Sequence, residues 1–249
     1  MGRAPADHAA SRGREGVSEA QGRVATYLRR AGLESLAGRE ADIERAVRDL
    51  MDAMGEKVAV GDDDSLYSYS VPMLTEDGAC SIVDELAPVP YDLTGILGGR
   101  SEQTTRRLAL LERLVERVQE TTGADWVGVY QKRAGVAGEP VLVKLSYVGR
   151  PSRAEFPLTT EFAERSTNST VGLTGRSTVI DDVSKHVEAG GGFYVCDDGV
   201  QSEACVPILD AASQVVGIVD VEAKPRSFFG ADRLAVVAAL ALVAPAVLP

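Results

Sequence analysis

Residues 125–132 read Asp125-Trp126-Val127-Gly128-Val129-Tyr130-Gln131-Lys132. Successive side chains of an extended chain point to opposite faces, so Trp126, Gly128 and Tyr130 share one face and the two valines share the other. Aromatic and β-branched residues are favoured in strands, and the stretch therefore predicts a β-strand. A second β-rich run at 141–148 follows a linker of hairpin length at 134–140.

The flanking patterns extend this strand pair into a domain. Upstream, apolar residues from Leu108 to Val118 lie on one helix face, and Gly123 is placed to end that helix in a left-handed conformation. Downstream, the patterns predict a short helix at 162–167, a short strand at 178–181, a flexible hinge at 190–192, strands at 204–209 and 215–221, and a last helix after Gly230. This order predicts an α+β fold, an antiparallel sheet with helices packed on it.

The N-terminal hundred residues follow another pattern. Residues 1–16 lack periodic apolar residues and predict a disordered tail. Residues 17–100 predict an extension with two amphipathic helices, one around Leu28 and one around Ile43, then a turn at 61–64 and a strand within 66–71. Prolines interrupt the remainder, which stays unassigned. The domain organisation we expect is therefore 1–16, 17–100 and 101–249.

Composition excludes several functional classes. The 249 residues carry a net charge of -11, which disfavours nucleic-acid binding. Three cysteines and a polar N-terminus without a signal-peptide core predict a reducing, cytoplasmic setting. The apolar run 234–249 is interrupted by Pro245 and is shorter than the roughly 20 residues that a bilayer requires, so we expect a buried helix and no membrane anchor. His186 has no histidine partner outside the tail and there is no Cys-x-x-Cys, so no metal site is predicted.

One stretch indicates thiol chemistry, Tyr194-Val195-Cys196-Asp197-Asp198-Gly199-Val200-Gln201-Ser202-Glu203-Ala204-Cys205-Val206-Pro207-Ile208. Cys196 lies on a polar turn beside acids, where a thiol contributes little to packing. Glu203 and Cys205 share a strand face by period two.

A second pair of acids, Asp220 and Glu222, shares a face of the next strand by the same period. Three carboxylates that meet in one pocket suit a cationic amine and hold one acid protonated, because like charges raise each other's pKa. The alternative is that the two strand ends are solvated and form no common pocket. Similarly, Trp126 and Tyr130 either border a gap at Gly128 that accepts a methyl-sulfur group, or are simply core residues.

The order of elements, together with Trp126-Val127-Gly128-Val129-Tyr130, Tyr194-Val195-Cys196-Asp197, Ser202-Glu203-Ala204-Cys205-Val206-Pro207 and Gly217-Ile218-Val219-Asp220-Val221-Glu222, resembles a GAF domain. Within that superfamily, residues 105–245 look most like the free methionine-(R)-sulfoxide reductases. The resemblance implies that Cys196 is the catalytic nucleophile. It also implies that Trp126 and Tyr130 line the substrate pocket, and that Glu203, Asp220 and Glu222 form its acidic cluster.

The chain departs from that family at three positions. Glu222 stands where the family usually has Asp. Two further family cysteines, one of which resolves the oxidised nucleophile, should fall near Arg153 and Ala163, and neither residue is a cysteine. Cys205 is the first candidate to resolve Cys196 in their place, with the alternative that it is an apolar filler. Cys80 is a further candidate.

The function we expect is thiol-dependent reduction of a small free amino-acid sulfoxide, L-methionine (R)-S-oxide. Cys196 would be the nucleophile, a protonated acid such as Glu203 the proton donor and Cys205 the resolving thiol. No cofactor is bound, and an external thiol reductant such as thioredoxin supplies the electrons. The alternative is a non-catalytic GAF module that binds a small molecule in the same pocket, with the N-terminal helices relaying a signal or forming a homodimer. A different thiol-dependent enzyme on the same scaffold also stays open.

Overall fold

The computed structural model of the chain describes residues 22–55, 64–75, 78–80, 85–135 and 138–249. The predicted tail at 1–16 and residues 61–63 of the predicted turn lie outside these ranges. Residues 136–137 of the predicted hairpin linker also lie outside them.

The N-terminal extension contains the two predicted amphipathic helices. Helix α1 spans 22–31 and α2 spans Glu40–Gly55, with a 3-10 turn at Glu34–Leu36 between them. Leu28 of α1 and Ile43 of α2 are buried in the same apolar core as the main sheet. The extension therefore folds against the C-terminal domain and shares its core.

The strand predicted within 66–71 is much shorter than expected. A 3-10 turn occupies Asp64–Leu66, and strand β1 comprises only Ser68–Tyr69, paired antiparallel with β2 (Tyr91–Asp92). Beyond it, Pro72 takes part only in an isolated bridge, consistent with a residue that has no N–H to donate to a ladder. Helix α3 (Leu93–Ile96) follows β2 directly.

The main sheet has six antiparallel strands. They are β3 (Trp126–Ala134), β4 (Pro140–Val148), β5 (Glu155–Pro157), β6 (Thr178–Ile180), β7 (Ser202–Leu209) and β8 (Val215–Ala223), in the spatial order β5-β4-β3-β8-β7-β6. The helices around it are α4 (Glu102–Thr122), α5 (Thr160–Ala163), α6 (Thr167–Thr174), α7 (Val183–Glu188) and α8 (Ala231–Val243), followed by a 3-10 turn at Ala244–Ala246. The predicted α+β class with an antiparallel sheet is confirmed.

The sheet separates two apolar cores because alternate residues of each strand face opposite sides. On one side, Val127 and Val129 of β3 pack with the buried faces of α4 and α8, and the N-terminal helices complete this larger core. On the other side, Trp126 and Tyr130 belong to a smaller cluster that is rich in aromatic side chains. The candidate functional residues lie on this second side.

Helix α4 begins and ends where the sequence predicts. Ser101 is its N-cap, with the side-chain oxygen accepting a hydrogen bond from the Thr104 N–H at 3.1 Å. Gly123 ends it at φ 71°, a left-handed conformation that glycine adopts without a Cβ penalty.

The prediction of a single helix at 162–167 is wrong. The chain forms two helices there, α5 before and α6 after a break at 164–166. Thr159 and Ser166 cap their first turns by accepting from the N–H groups of Phe162 and Ser169. These polar caps, and not the apolar periodicity used for the prediction, determine where the two helices begin. Helix α7, capped by Asp182, was not predicted.

The apolar run at the C-terminus forms α8, which has 13 residues and buries most of its side chains in the larger core, between the sheet and helices α2 and α4. Within the ranges described, no helix combines the length and the hydropathy needed to cross a membrane.

Candidate functional site

Three neighbouring strands bring the predicted acids together. In the β7–β8 ladder Cys205 lies opposite Asp220 and Glu203 opposite Glu222. The β3–β8 ladder places Asp220 opposite Gly128. Directly opposed residues share a sheet face, so the period-two predictions for both acidic strands meet on the face of the smaller core.

Glu203 and Asp220 form a buried pair of carboxyl groups. They are 1% and 3% exposed. Thr167 donates its hydroxyl to Glu203 Oε1, and Asn168 donates its side-chain amide to Asp220 Oδ2 at 2.9 Å. Both donors come from the first turn of α6, the helix that sequence reasoning misplaced.

The second oxygen of each carboxyl group, Glu203 Oε2 and Asp220 Oδ1, is buried and accepts no hydrogen bond from another side chain or backbone group of the described residues, whereas a proton on one acid can join the two carboxyl groups to each other. One oxygen of each acid and the Cys205 sulfur lie within 4.8 Å of one another. A buried carboxylate without a partner is costly, so such a pair keeps a proton between its members or binds a cation. The same three donors could hold a metal ion, in a chain whose sequence predicts no metal site.

The electrostatics favour the protonated form. Burial, reinforced by the charges of Asp220 and Glu222, raises the pKa of Glu203 well above its usual value. Burial also raises the pKa of Asp220 to about 6, against the opposing hydrogen bond from Asn168. Two adjacent carboxyl groups with raised pKa values behave as one coupled unit that retains a proton near neutral pH.

Lys144 is a functional candidate that sequence reasoning missed. Its side chain is fully buried, and Nζ donates to the carbonyl and hydroxyl oxygens of Ser152, both at 2.8 Å. The ammonium group lies 3.9 Å from the ring centre of Tyr147 and 5.0 Å from that of Tyr69 in the extension. A lysine at an inward position of a β-rich strand was the available signal, since lysine is rarely buried without a role or a partner.

Lys144 also acts on the third acid. Burial raises the pKa of Glu222 well above its usual value and the charges of Asp220 and Asp197 add to the effect, whereas Lys144 lowers it. Burial lowers the pKa of Lys144 well below its ordinary value, with Glu222 opposing.

The aromatic pair is buried, and the gap between its members is filled. Trp126 and Tyr130 have ring centres 6.3 Å apart. The Trp126 ring itself covers Gly128, so that a methyl group added at that glycine would overlap it. The predicted space for a methyl-sulfur group at Gly128 is therefore taken up by the indole, whose N–H donates to the Arg150 carbonyl at 3.0 Å.

Cys196 and Cys80 are joined by a disulfide with a Cα–Cα distance of 5.3 Å, although 116 residues separate them in the chain. Cys205 is unpaired and fully buried on β7. Its burial, together with three neighbouring carboxyl groups, raises its thiol pKa well above the usual value. The sequence placed Cys205 first as the partner of Cys196, whereas the structure pairs Cys196 with the further candidate, Cys80.

A cleft of about 330 Å³ lies beside Cys196. Its lining includes Cys196, Trp126, Glu222, Ser152 and the ion pair between Arg150 and Asp197, whose charged atoms are 3.4 Å apart. Pockets for small ligands start at roughly 300 Å³, so the cleft has room for a small amino acid.

The predicted site thus has two layers. Cys196, Trp126 and Glu222 line the cleft, while Glu203, Asp220, Cys205 and Tyr130 are buried. Glu222 and Asp220 lie two residues apart on β8 and connect the layers, since each raises the pKa of its acidic neighbours.

Comparison with known proteins identifies the fold family. The GAF domain sequence model matches residues 106–246. The type II free methionine-R-sulfoxide reductase from Thermoplasma acidophilum has a TM-score of 0.50 and 21% sequence identity, covering 59% of this chain and 95% of that chain. No curated protein matches this chain.

Two other solved structures show similar coverage at lower TM-scores. The free methionine-R-sulfoxide reductase from Neisseria meningitidis, in complex with its substrate, has a TM-score of 0.46 and 19% identity, covering 61% of this chain and 80% of that chain. The GAF domain from an Acinetobacter phosphoenolpyruvate-protein phosphotransferase has a TM-score of 0.43 and 15% identity, covering 62% and 86%. The family match spans more than half of the 249 residues, and the chain belongs to the GAF domain family.

Proposed function

We propose that this protein is a thiol-dependent reductase of a small free amino-acid sulfoxide, L-methionine (R)-S-oxide, with Cys196 as the nucleophile. The observation that carries the proposal is the cleft lined by both Glu222 and Cys196, whose sulfur becomes a thiol when the disulfide with Cys80 is reduced. A thiol that attacks sulfur and an acid that protonates the departing oxygen are the two groups that this reaction needs.

Glu222 is the acid placed to act in the cleft. Its raised pKa keeps the carboxyl group protonated at a pH where an exposed glutamate is ionised. In the reduced protein the Cys196 sulfur attacks the sulfoxide sulfur as Glu222 protonates the oxygen. The oxygen passes to Cys196 as a sulfenic acid, the methionine thioether leaves, and Glu222 recovers the proton of the thiol.

The deeper acids favour an amino acid as the substrate. The buried Glu203–Asp220 pair keeps one proton and one negative charge near neutral pH, and that charge behind Glu222 attracts an ammonium group. Arg150, which is ion-paired with Asp197 at the same cleft, adds a positive charge near the position of a substrate carboxylate. A free amino acid carries both charges, whereas a methionine inside a peptide carries neither.

The test is consumption of free L-methionine (R)-S-oxide by the purified, reduced protein with dithiothreitol, followed as methionine formed. We expect turnover in the wild type and none in Cys196→Ser, with little activity on the S epimer or on a peptide-bound sulfoxide. Equal activity of the wild type and Cys196→Ser would refute the proposal. Thioredoxin as the physiological donor and a cytoplasmic location belong to the same proposal, since disulfide turnover requires a reducing compartment.

A second candidate function is a non-catalytic module that binds a small cationic molecule. The observation that favours it is the lining of the cleft, where the Glu222 carboxyl group and the Trp126 ring could bind an ammonium group without any thiol step. In that case Cys196→Ser would bind methionine as tightly as the wild type by calorimetry, and neither protein would turn over the sulfoxide. The N-terminal helices would then relay binding or form a homodimer, which light scattering with and without ligand would test.

A further inference from the structure

We propose that Cys80, from the N-terminal extension, is the resolving cysteine that captures oxidised Cys196. The inference rests on the proposed reductase function and names the residue that completes its cycle. Cys80 lies outside residues 106–246, the part matched by the GAF family. The extension would therefore supply a catalytic group that the GAF domain of this chain lacks.

The first argument is the pairing itself. The two cysteines are bonded, and their Cα atoms lie 5.3 Å apart, within the range that disulfides span without backbone movement. Cys196 lies at the cleft, so a thiol at the Cys80 position is next to the sulfur that the substrate would oxidise.

The second argument is how the Cys80 segment is held. The carbonyl oxygen of Gly78, two residues before Cys80, accepts a hydrogen bond from Arg153 Nη1 at 2.6 Å and another from the Tyr194 hydroxyl. Tyr194 lies two residues before Cys196, so a single carbonyl fixes both cysteines with respect to each other. Arg153 lies where the family resemblance places a cysteine, and here it anchors the segment that carries a cysteine instead.

The third argument is that Cys205 is poorly suited to the role. It lies on β7 between two strands, opposite Thr178 of the edge strand β6 on one side and Asp220 of β8 on the other. The attacking species in thiol exchange is the thiolate, and burial beside three carboxyl groups disfavours the thiolate of Cys205. Cys80 is also buried, but among the described residues it belongs to no strand of the main sheet and pairs with Leu74 through an isolated bridge.

The resolving step balances as follows. Sulfoxide reduction leaves Cys196 as a sulfenic acid. The Cys80 sulfur attacks the Cys196 sulfur, the S–O bond breaks, and the hydroxyl group of the sulfenic acid leaves as water with the proton of the Cys80 thiol. The resulting Cys80–Cys196 disulfide is reduced by an external dithiol of the thioredoxin class, which becomes oxidised and returns both thiols.

The experiment maps the bond that forms in a single turnover. The reduced full-length protein receives one equivalent of either hydrogen peroxide or free L-methionine (R)-S-oxide without reductant, and its peptides are analysed by mass spectrometry with dimedone to trap sulfenic acid. We expect a Cys80–Cys196 peptide from the wild type and from the matched control Cys205→Ala. In Cys80→Ala we expect a trapped sulfenic acid at Cys196, one methionine formed per protein and loss of thioredoxin-supported turnover.

A Cys196–Cys205 peptide from the wild type would overturn the inference without relying on any variant. Sulfoxide turnover with thioredoxin that persists in Cys80→Ala would overturn the resolving step alone. If peroxide produces the Cys80–Cys196 bond but the sulfoxide yields neither bond nor methionine, the proposed function fails, and the resolving role in it fails too. The two failures are thus distinguishable.

Discussion

The buried carboxyl pair makes folding stability depend on pH, and Asp220→Asn tests this most directly. The pKa of Asp220 rises from 3.8 to about 6 on folding because burial disfavours its charge. A group whose folded pKa is raised stabilises the fold fully below the unfolded pKa and loses that contribution as pH rises through the folded pKa. Stability should therefore fall between pH 3.8 and about 6.

The magnitude follows from the shift. Roughly two pKa units correspond to about 3 kcal/mol at 1.36 kcal/mol per unit. Asparagine keeps an oxygen that accepts from the Asn168 amide and carries no charge. The free energy of unfolding of Asp220→Asn minus that of the wild type should therefore increase by about 3 kcal/mol when the pH is raised from acidic to mildly alkaline values. The raised pKa of Glu203 acts in the same direction in the wild type, and the variant relieves only the part of it that comes from the charge of Asp220, because burial, the main cause, remains.

The assay is urea unfolding of both proteins across this pH range, with the Cys80–Cys196 disulfide kept intact in both. Glu116→Gln, on the exposed face of α4, removes one carboxylate without changing the buried pair and serves as the matched control. If the stability difference between the wild type and Asp220→Asn does not change with pH, or changes in the opposite direction, the carboxyl group is not buried as an uncompensated charge and the electrostatic argument for the site fails.

Three further changes probe the surroundings of the cleft. Gly128→Ala adds a methyl group that overlaps the ring of Trp126, the only tryptophan of the chain. The tryptophan fluorescence spectrum should therefore shift, and the free energy of unfolding should fall by about 1–3 kcal/mol. An unchanged spectrum would contradict the packing of the ring over Gly128. Lys144→Met removes the cation that lowers the pKa of Glu222, so that pKa should rise. The alkaline limb of the pH profile of kcat/KM should then move to higher pH. A shift to lower pH would argue against Glu222 as the proton donor. Arg153→Met removes the donor that holds the Gly78 carbonyl, so the Cys80–Cys196 disulfide should form more slowly after oxidation, as measured by quenched-flow thiol counting. The yield of the first methionine per protein should stay unchanged. An unaltered rate of disulfide formation would mean that the arginine does not position the resolving thiol.

Local sequence patterns were sufficient for much of the scaffold. Alternation in 125–132 predicted β3, which the structure has at Trp126–Ala134, and the glycine at 123 predicted the end of α4. These features depend on residues that are neighbours in the chain, so their physics is visible in the sequence. The break between α5 and α6 was missed because polar caps, and not apolar spacing, decide it.

The candidate site was only partly predictable. Period two placed Glu203 with Cys205 and Asp220 with Glu222 on common faces, and the structure brings both pairs to one face of the sheet. The sequence could not show that the Trp126 ring fills the space over Gly128, because a side-chain rotamer depends on its packed neighbours.

What the sequence by itself determined was the kind of fold and the faces on which the acids and aromatic residues lie, since both follow from periodicity along the chain. The tertiary structure alone decided the partners. The register of β7 against β8 sets Cys205 opposite Asp220, the fold of the extension brings Cys80 to Cys196 across 116 residues, and packing buries Lys144 near the acids. Contacts between residues far apart in the chain leave no local periodic signal, because they depend on how whole elements pack and not on the spacing of residues within one of them.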